Sequence, residues 1–155
     1  MMIDVRHDPA TVYAEHATEL IRYATVLVGP SAAEDLVADA VIAAFSSPAW
    51  TTVEHPRAYL YRAVLNAAHH THRSHARRVV RERRAATAES VEPTLGDPTV
   101  VAALQQLTPR QRAVVFFTYW QDRPSAEIAD DLGTDQRTVQ RDLLAARTRL
   151  AQLLQ

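Results

Sequence analysis

The stretch from Ser125 to Leu150, SAEIADDLGTDQRTVQRDLLAARTRL, confines the chain to a narrow set of folds, because it reads as two short helices joined by a tight turn. Ile128, Ala129 and Leu132 place small and apolar groups on one face of the first helix. Gly133 follows where a left-handed residue ends that helix and turns the chain. Asp135 is suited to N-cap the next helix, and Val139, Leu143 and Leu144 recur at a spacing that docks it on the first. The outward groups of its first turns are Gln136, Arg137, Gln140 and Arg141, amides and guanidiniums that suit base edges and phosphates. An αα-hairpin with no such role shares the same pattern. The Ala129–Gly133–Val139 register with long polar side chains facing out favours a DNA-reading helix-turn-helix.

Charge is distributed in a way that the net value of −1 conceals. Residues 1–50 hold 2 Arg against 7 acids, residues 51–84 hold 8 Arg against 2, and residues 85–155 hold 7 Arg against 9. The middle block attracts phosphate even though the whole chain does not. The basic residues are all Arg, which suits phosphate contact and also fits GC-rich coding. Few glycines and many Ala, Leu, Arg and Glu, with no alternating strand pattern, indicate an all-α fold of one ordinary domain or two small ones. Absence of Cys excludes disulfides and thiolate zinc sites. Met1 to Pro9 carries acids and no apolar run, and no segment approaches the ~20 apolar residues of a membrane span, so a soluble cytoplasmic protein is expected.

In chain order, Thr11 to Val28 forms a helix with Val12, Ala17, Leu20, Ile21, Ala24 and Leu27 as its stripe. Gly29-Pro30 stops it, and Ser31 caps a second helix over about 32–45. Leu36, Val37, Ala40, Val41, Ala44 and Phe45 form the core side of that helix, and Asp35, Asp39 and Ile42 share the opposite side. That side is either a solvated acidic face or a partner surface for a basic helix. Trp50, in the following loop, is a packing anchor. A long helix starts at Pro56 and extends as far as Arg84. Leu60, Val64, Ala67 and Ala68 face its core. Tyr59, Tyr61, Arg62, Asn66, His70, Arg73 and Arg77 supply aromatic, amide and basic groups suited to unstacked single-stranded bases, or else form a core edge and a solvated face. His69, His70, His72 and His75 have a spacing that allows a metal site, but no carboxylate or Cys completes the shell and six Arg between 73 and 84 repel a cation. Periodicity is lost from Ala85 to Pro98, which reads as a linker. The second unit opens with a short helix over 99–107. Thr108-Pro109 then starts another, with Val114, Val115, Phe117 and Tyr119 as core candidates and Arg110 and Arg112 at its start.

Three stretches in this order resemble the extracytoplasmic-function sigma factors of the sigma-70 family: AEDLVADAVIAAF, RAYLYRAVLN with the downstream Arg, and LTPRQRAVV with EIADDLGTDQRTVQRDL. The resemblance spans about residues 9–154. It implies a σ2-like helical bundle over 9–84, a linker over 85–98 and a σ4-like helix-turn-helix domain over 99–154. By this resemblance Asp35, Asp39 and Ile42 contact core RNA polymerase. Tyr59, Tyr61, Arg62, Asn66, Arg73 and Arg77 contact −10 DNA, with Asn66 reading an exposed base. Arg112, Gln136, Arg137, Thr138, Gln140 and Arg141 contact −35 DNA. The family also implies an anti-sigma partner. This sequence departs from the family pattern at Ala38, Tyr59, His70 and Asp142, where Gln, Trp, Asp and a basic residue are usual. The mechanism implied is promoter-specific initiation by binding, without a cofactor or metal. No paired carboxylates with a nucleophile and no Gly-rich phosphate loop suggest an enzyme. The competing readings are a free-standing helix-turn-helix regulator of the response-regulator type and a sigma-like interaction module that does not support initiation. A helical enzyme with a histidine metal site is a third.

Overall fold

The computed structural model describes residues 8–82 and 98–155, with the side chains of 72–82 left out. Among them are seven α-helices: α1 (Pro9–Val28), α2 (Pro30–Ser46), α3 (Pro56–Glu82), α4 (Pro98–Leu104), α5 (Pro109–Val115), α6 (Ser125–Leu132) and α7 (Gln136–Leu153). A 3₁₀ turn at Pro48–Thr52 and a π turn at Phe116–Trp120 complete them. The chain is all-α, with two helical units, α1–α3 and α4–α7. The expected linker at 85–98 lies, apart from Pro98, outside the described residues.

Local chemistry accounts for the helix ends. Asp8 caps α1 by accepting from the Thr11 amide and hydroxyl at 3.1 and 2.9 Å. Gly29, at φ 88°, turns the corner, and Pro30 opens α2 directly, so the second helix starts before the expected Ser31 cap. Thr108 and Gln111 form a reciprocal capping box at α5. Asp135 accepts from the Thr138 amide at 2.8 Å to start α7. Gly133, at φ 69°, ends α6 in the left-handed region. Trp50 is buried between Phe45 and Tyr59, ring centroids 4.7 and 5.8 Å away, and locks the α2–α3 corner.

Two core expectations are corrected. Leu144 is 67 % exposed, because five residues past Val139 it has rotated away from the docked side; Ala146, seven past Val139, takes the buried position. Tyr119 is 54 % exposed. The π turn adds a residue to the helical turn and changes the phase, so that Phe116 and Phe117 both face inward while Tyr119 and Trp120 face out. The Tyr119 hydroxyl accepts from Arg147 Nε at 2.7 Å.

The two units pack against each other around an aromatic cluster. Tyr23 of α1 lies 4.9 Å from Tyr61 of α3 and 5.2 Å from both Phe116 and Phe117, ring centre to ring centre, and Tyr61 lies 5.2 Å from Phe117. All four are fully buried. The apolar core therefore runs without a break from α1–α3 into α5–α7. Among the described residues no helix is long and apolar enough to cross a membrane.

Candidate nucleic-acid interface

Three surfaces carry the chemistry singled out above. The first is on α2. Leu36, Val37, Ala40, Val41 and Ala44 are buried, which leaves Asp35, Asp39 and Ile42 together on the exposed side. Ile42 is 65 % exposed and lies one turn beyond Asp39 on the same side. An isolated exposed Ile is ordinary; this one continues the line of Asp35 and Asp39 along the exposed side of α2.

The second surface is on α3, where a groove of about 510 Å³ runs between α2 and α3. Asp39, Tyr59, Arg62, Asn66 and His70 line it with small Ala side chains at its base. Asn66 and His70 are exposed, while Tyr59 is half-buried against Trp50. The groove places an amide, an aromatic edge and a cation within one concavity bordering the acidic helix. Tyr61 is not part of it. It is buried, and its hydroxyl accepts from Gln121 Nε2 at 3.0 Å across the junction of the two units. Burial holds its phenol above the ordinary value. The expectation that Tyr61 stacks on DNA is corrected for this arrangement: five residues after Pro56 its side chain falls on the core side of α3. The side chains of Arg73 and Arg77, and those of His72 and His75, lie outside the described residues.

The third surface is the start of α7. Arg137, Gln140 and Arg141 are exposed. Gln136 donates from Nε2 to Ser125 Oγ at 3.0 Å, tying α7 to the start of α6. The Thr138 hydroxyl reaches Asp135 Oδ2 at 3.1 Å. Those bonds from the Thr138 amide and hydroxyl keep the Asp135 carboxyl below its ordinary range, so the cap is charged. Asp142 turns inward and pairs with Arg110 Nε at 2.5 Å, fastening α7 to α5. Its carboxylate is therefore directed at a neighbouring helix instead of at the exposed face of α7.

Arg112 is corrected outright as a phosphate contact. It is 3 % exposed, and its guanidinium donates to Leu104 O and Gln105 O at 2.8 Å each and also to Leu27 O at the end of α1. It satisfies carbonyls left over at two helix C-termini, where a cation is favoured. Burial lowers its pKa from 12.5 to about 10, so it remains charged at neutral pH.

Sequence reasoning missed Arg57, Gln121, Arg123 and Asp131. Arg57 donates to Asp131 Oδ2 and Gln121 Oε1, both at 2.6 Å, and lies 4.6 Å over the Tyr61 ring. Arg123 reaches the same Asp131 oxygen at 2.8 Å. Arg62 donates to Asp131 O at 2.9 Å and Asp130 O at 2.5 Å. The available signal was the Asp130-Asp131 pair at the end of a helix predicted to stop at Gly133, opposite an Arg-rich helix.

These features define a helical DNA-binding protein in which a helix-turn-helix is joined to a second unit bearing an exposed acidic face and an Arg–aromatic groove. Known proteins share the arrangement. The models "Sigma-70 region 2" and "Sigma-70, region 4" match residues 12–78 and 99–150. The ECF RNA polymerase sigma factor SigL of Mycobacterium tuberculosis, in three strains, is 33 % identical over 149 residues, covering 83 % of this chain and 78 % of that protein. Among solved structures, the sigma factor RpoE of Bartonella quintana, crystallised with the anti-sigma factor NepR, superposes with a TM-score of 0.70 at 21 % identity, covering 94 % of this chain and 95 % of that one. The chain belongs to the sigma-70 family, in its extracytoplasmic-function group, and is an RNA polymerase sigma factor.

Proposed function

We propose that the chain divides the work of promoter recognition among its three surfaces and carries out no chemistry of its own. Residues 9–84 act as the σ2-like domain, 85–98 as linker and 99–154 as the σ4-like domain. Asp35, Asp39 and Ile42 dock on a basic helix of core polymerase: the two acids steer the approach and Ile42 supplies the desolvated contact. Asn66 reads a base extruded from the −10 strand into the α2–α3 groove, with Tyr59 and Arg62 holding its neighbours and Arg73 and Arg77 continuing the phosphate track. Arg137, Gln140 and Arg141 read the −35 duplex, positioned by Gln136 and Thr138. The observation that carries this division is the groove, which unites Asn66, Tyr59 and Arg62 in one concavity beside the acidic face of α2.

An unpaired base captured in that groove offsets part of the few kcal/mol needed to unstack it. Bond formation between nucleotides is left to the polymerase. The chain accordingly works in the cytoplasm with core polymerase and promoter DNA, and an anti-sigma factor, as seen with the Bartonella protein, is the expected regulator. The test is Asn66→Ala in a reconstituted holoenzyme. Polymerase binding is expected to be retained while open-complex formation, read by permanganate reactivity of unpaired thymines, falls. Unchanged reactivity would remove Asn66 from strand capture.

A further inference from the structure

Arg62, which lines the groove that the −10 strand is proposed to enter, already finds acceptors in the second unit. Two carbonyl oxygens at the C-terminus of α6, those of Asp130 and Asp131, accept from its guanidinium. Both belong to the last turn of a helix, where unpaired carbonyls and the negative end of the dipole favour a cation. Gly133 lets the guanidinium lie this close, because a Cβ there would sit 3.3 Å from Arg62 Cζ and Nε. Beside it, the Asp131 carboxylate holds Arg57 at 2.6 Å. An oxyanion and two carbonyl dipoles thus occupy the two described arginines of α3, in the manner of a nucleic-acid backbone.

We propose that the C-terminal end of α6 is a built-in phosphate mimic that competes with single-stranded DNA for Arg57 and Arg62, so that the free chain masks its own strand-binding face. This rests on the proposed placement of −10 DNA on α3. With Nε and one Nη given to α6, Arg62 cannot offer that edge of its guanidinium to a phosphate, and Tyr61 stays beneath Gln121 and Phe117 as long as the units are closed. Closure is not perfected either. The Tyr23 hydroxyl, at the centre of the aromatic cluster, is buried with no hydrogen-bond partner. A buried unpaired hydroxyl weakens the closed state relative to one in which water reaches it. The junction therefore combines an apolar centre that favours closure with an exchangeable charged margin and one unsatisfied group that favours opening. In the open form Arg57 and Arg62 are released to the strand and α7 is free to reach a distant duplex element.

The experiment uses the full chain, which has no native cysteine and so takes a dye pair cleanly at Ala10→Cys in α1 and Gln152→Cys in α7, both exposed. Energy transfer and affinity for a labelled 12-nucleotide mixed-sequence single strand are read at fixed low salt. Excess strand is expected to lower transfer in the parent. Asp131→Asn, which removes the carboxylate and keeps the shape, is expected to lower transfer without DNA and to tighten strand binding about tenfold, a change of ~1.4 kcal/mol. Gly133→Ala, which pushes Arg62 off the α6 carbonyls, should act in the same direction. Circular dichroism verifies that each variant is folded, and if one fails to fold the other carries the test. Transfer and strand affinity unchanged in both folded variants would overturn the competition. If the parent still initiates transcription with core polymerase, that result leaves the promoter assignment standing. Variants that open and bind the strand more tightly, in a parent that does not initiate, would support the competition and refute the assignment instead.

Discussion

Replacing Ile42 by Ala separates partner binding from folding more cleanly than any other change on the acidic helix. Full burial of an Ile side chain is worth about 1.5–3 kcal/mol. Ile42 leaves 65 % of its surface in solvent, so complete coverage by a partner would yield roughly 1–2 kcal/mol. That corresponds to a rise in Kd for core polymerase of about 5- to 30-fold. Stability should be unaffected: the side chain contributes little to the core, and Ala is the better helix former by a few tenths of a kcal/mol. The assay is fluorescence anisotropy of dye-labelled chain titrated with core polymerase, paired with a thermal melt of the free variant. Asp39→Asn in parallel should act mainly on the association rate and lose its effect at high salt, because an exposed charge steers more than it anchors. A Kd within twofold of the parent at unchanged Tm would show that Ile42 stays in solvent in the complex, and would refute the partner-face reading. A lowered Tm would show that the residue packs within the fold.

Three further perturbations test other parts of the account. Arg112→Met removes the donor to three carbonyls; charge-assisted bonds of ~1.5–3 kcal/mol each, partly offset by relief of guanidinium desolvation, give a net loss of about 3 kcal/mol and a Tm drop of about 10 °C, and a melt within ~2 °C of the parent at this size would be less than about 1 kcal/mol and would refute the buried role. Arg141→Ala should weaken binding to a −35 duplex and lower the slope of log affinity against log salt by about one, and an unchanged slope would move the phosphate contact elsewhere. His16, half-buried on α1, is held below its ordinary 6.5 first by burial and then by Arg57, with Glu15 opposing. The unfolded chain therefore takes up that proton first, so stability should decline as pH falls below 6.5, and His16→Gln should flatten that part of the curve; an identical curve for the variant would exclude His16 as the group responsible.

Much of the fold was legible because it is written in local terms. Thr108-Pro109, Gly133 and Asp135 each satisfy a helix end through neighbours within a few residues, and the structure uses each at the position expected. Asp35, Asp39 and Ile42 could be placed on one face because a straight helix keeps its phase over seven residues. Phase also explains two failures. The π turn at Phe116–Trp120 breaks the period that points Tyr119 inward, and Leu144, five residues past Val139, lies off the side of α7 that carries Val139 and Ala146. The junction was illegible for a different reason. Arg57 and Asp131 are 74 residues apart, and Arg112 meets Leu27 across 85, so no local period encodes their meeting. The phosphate contact expected of Arg112 comes from the family resemblance alone; only three-dimensional packing shows that leftover carbonyls surround it. Tyr61 suits DNA by its place among the arginines of α3 and by the resemblance, and nothing local reveals the aromatic cluster between the units that buries it.

The central claim is that this sigma factor works through core polymerase. Its most direct test is size-exclusion chromatography of the chain with and without core RNA polymerase, followed by footprinting of the complex on promoter DNA. The account predicts co-elution at one chain per polymerase and protection of the −10 and −35 elements only in the complex. Elution apart from polymerase, with the chain alone protecting duplex DNA, would contradict it.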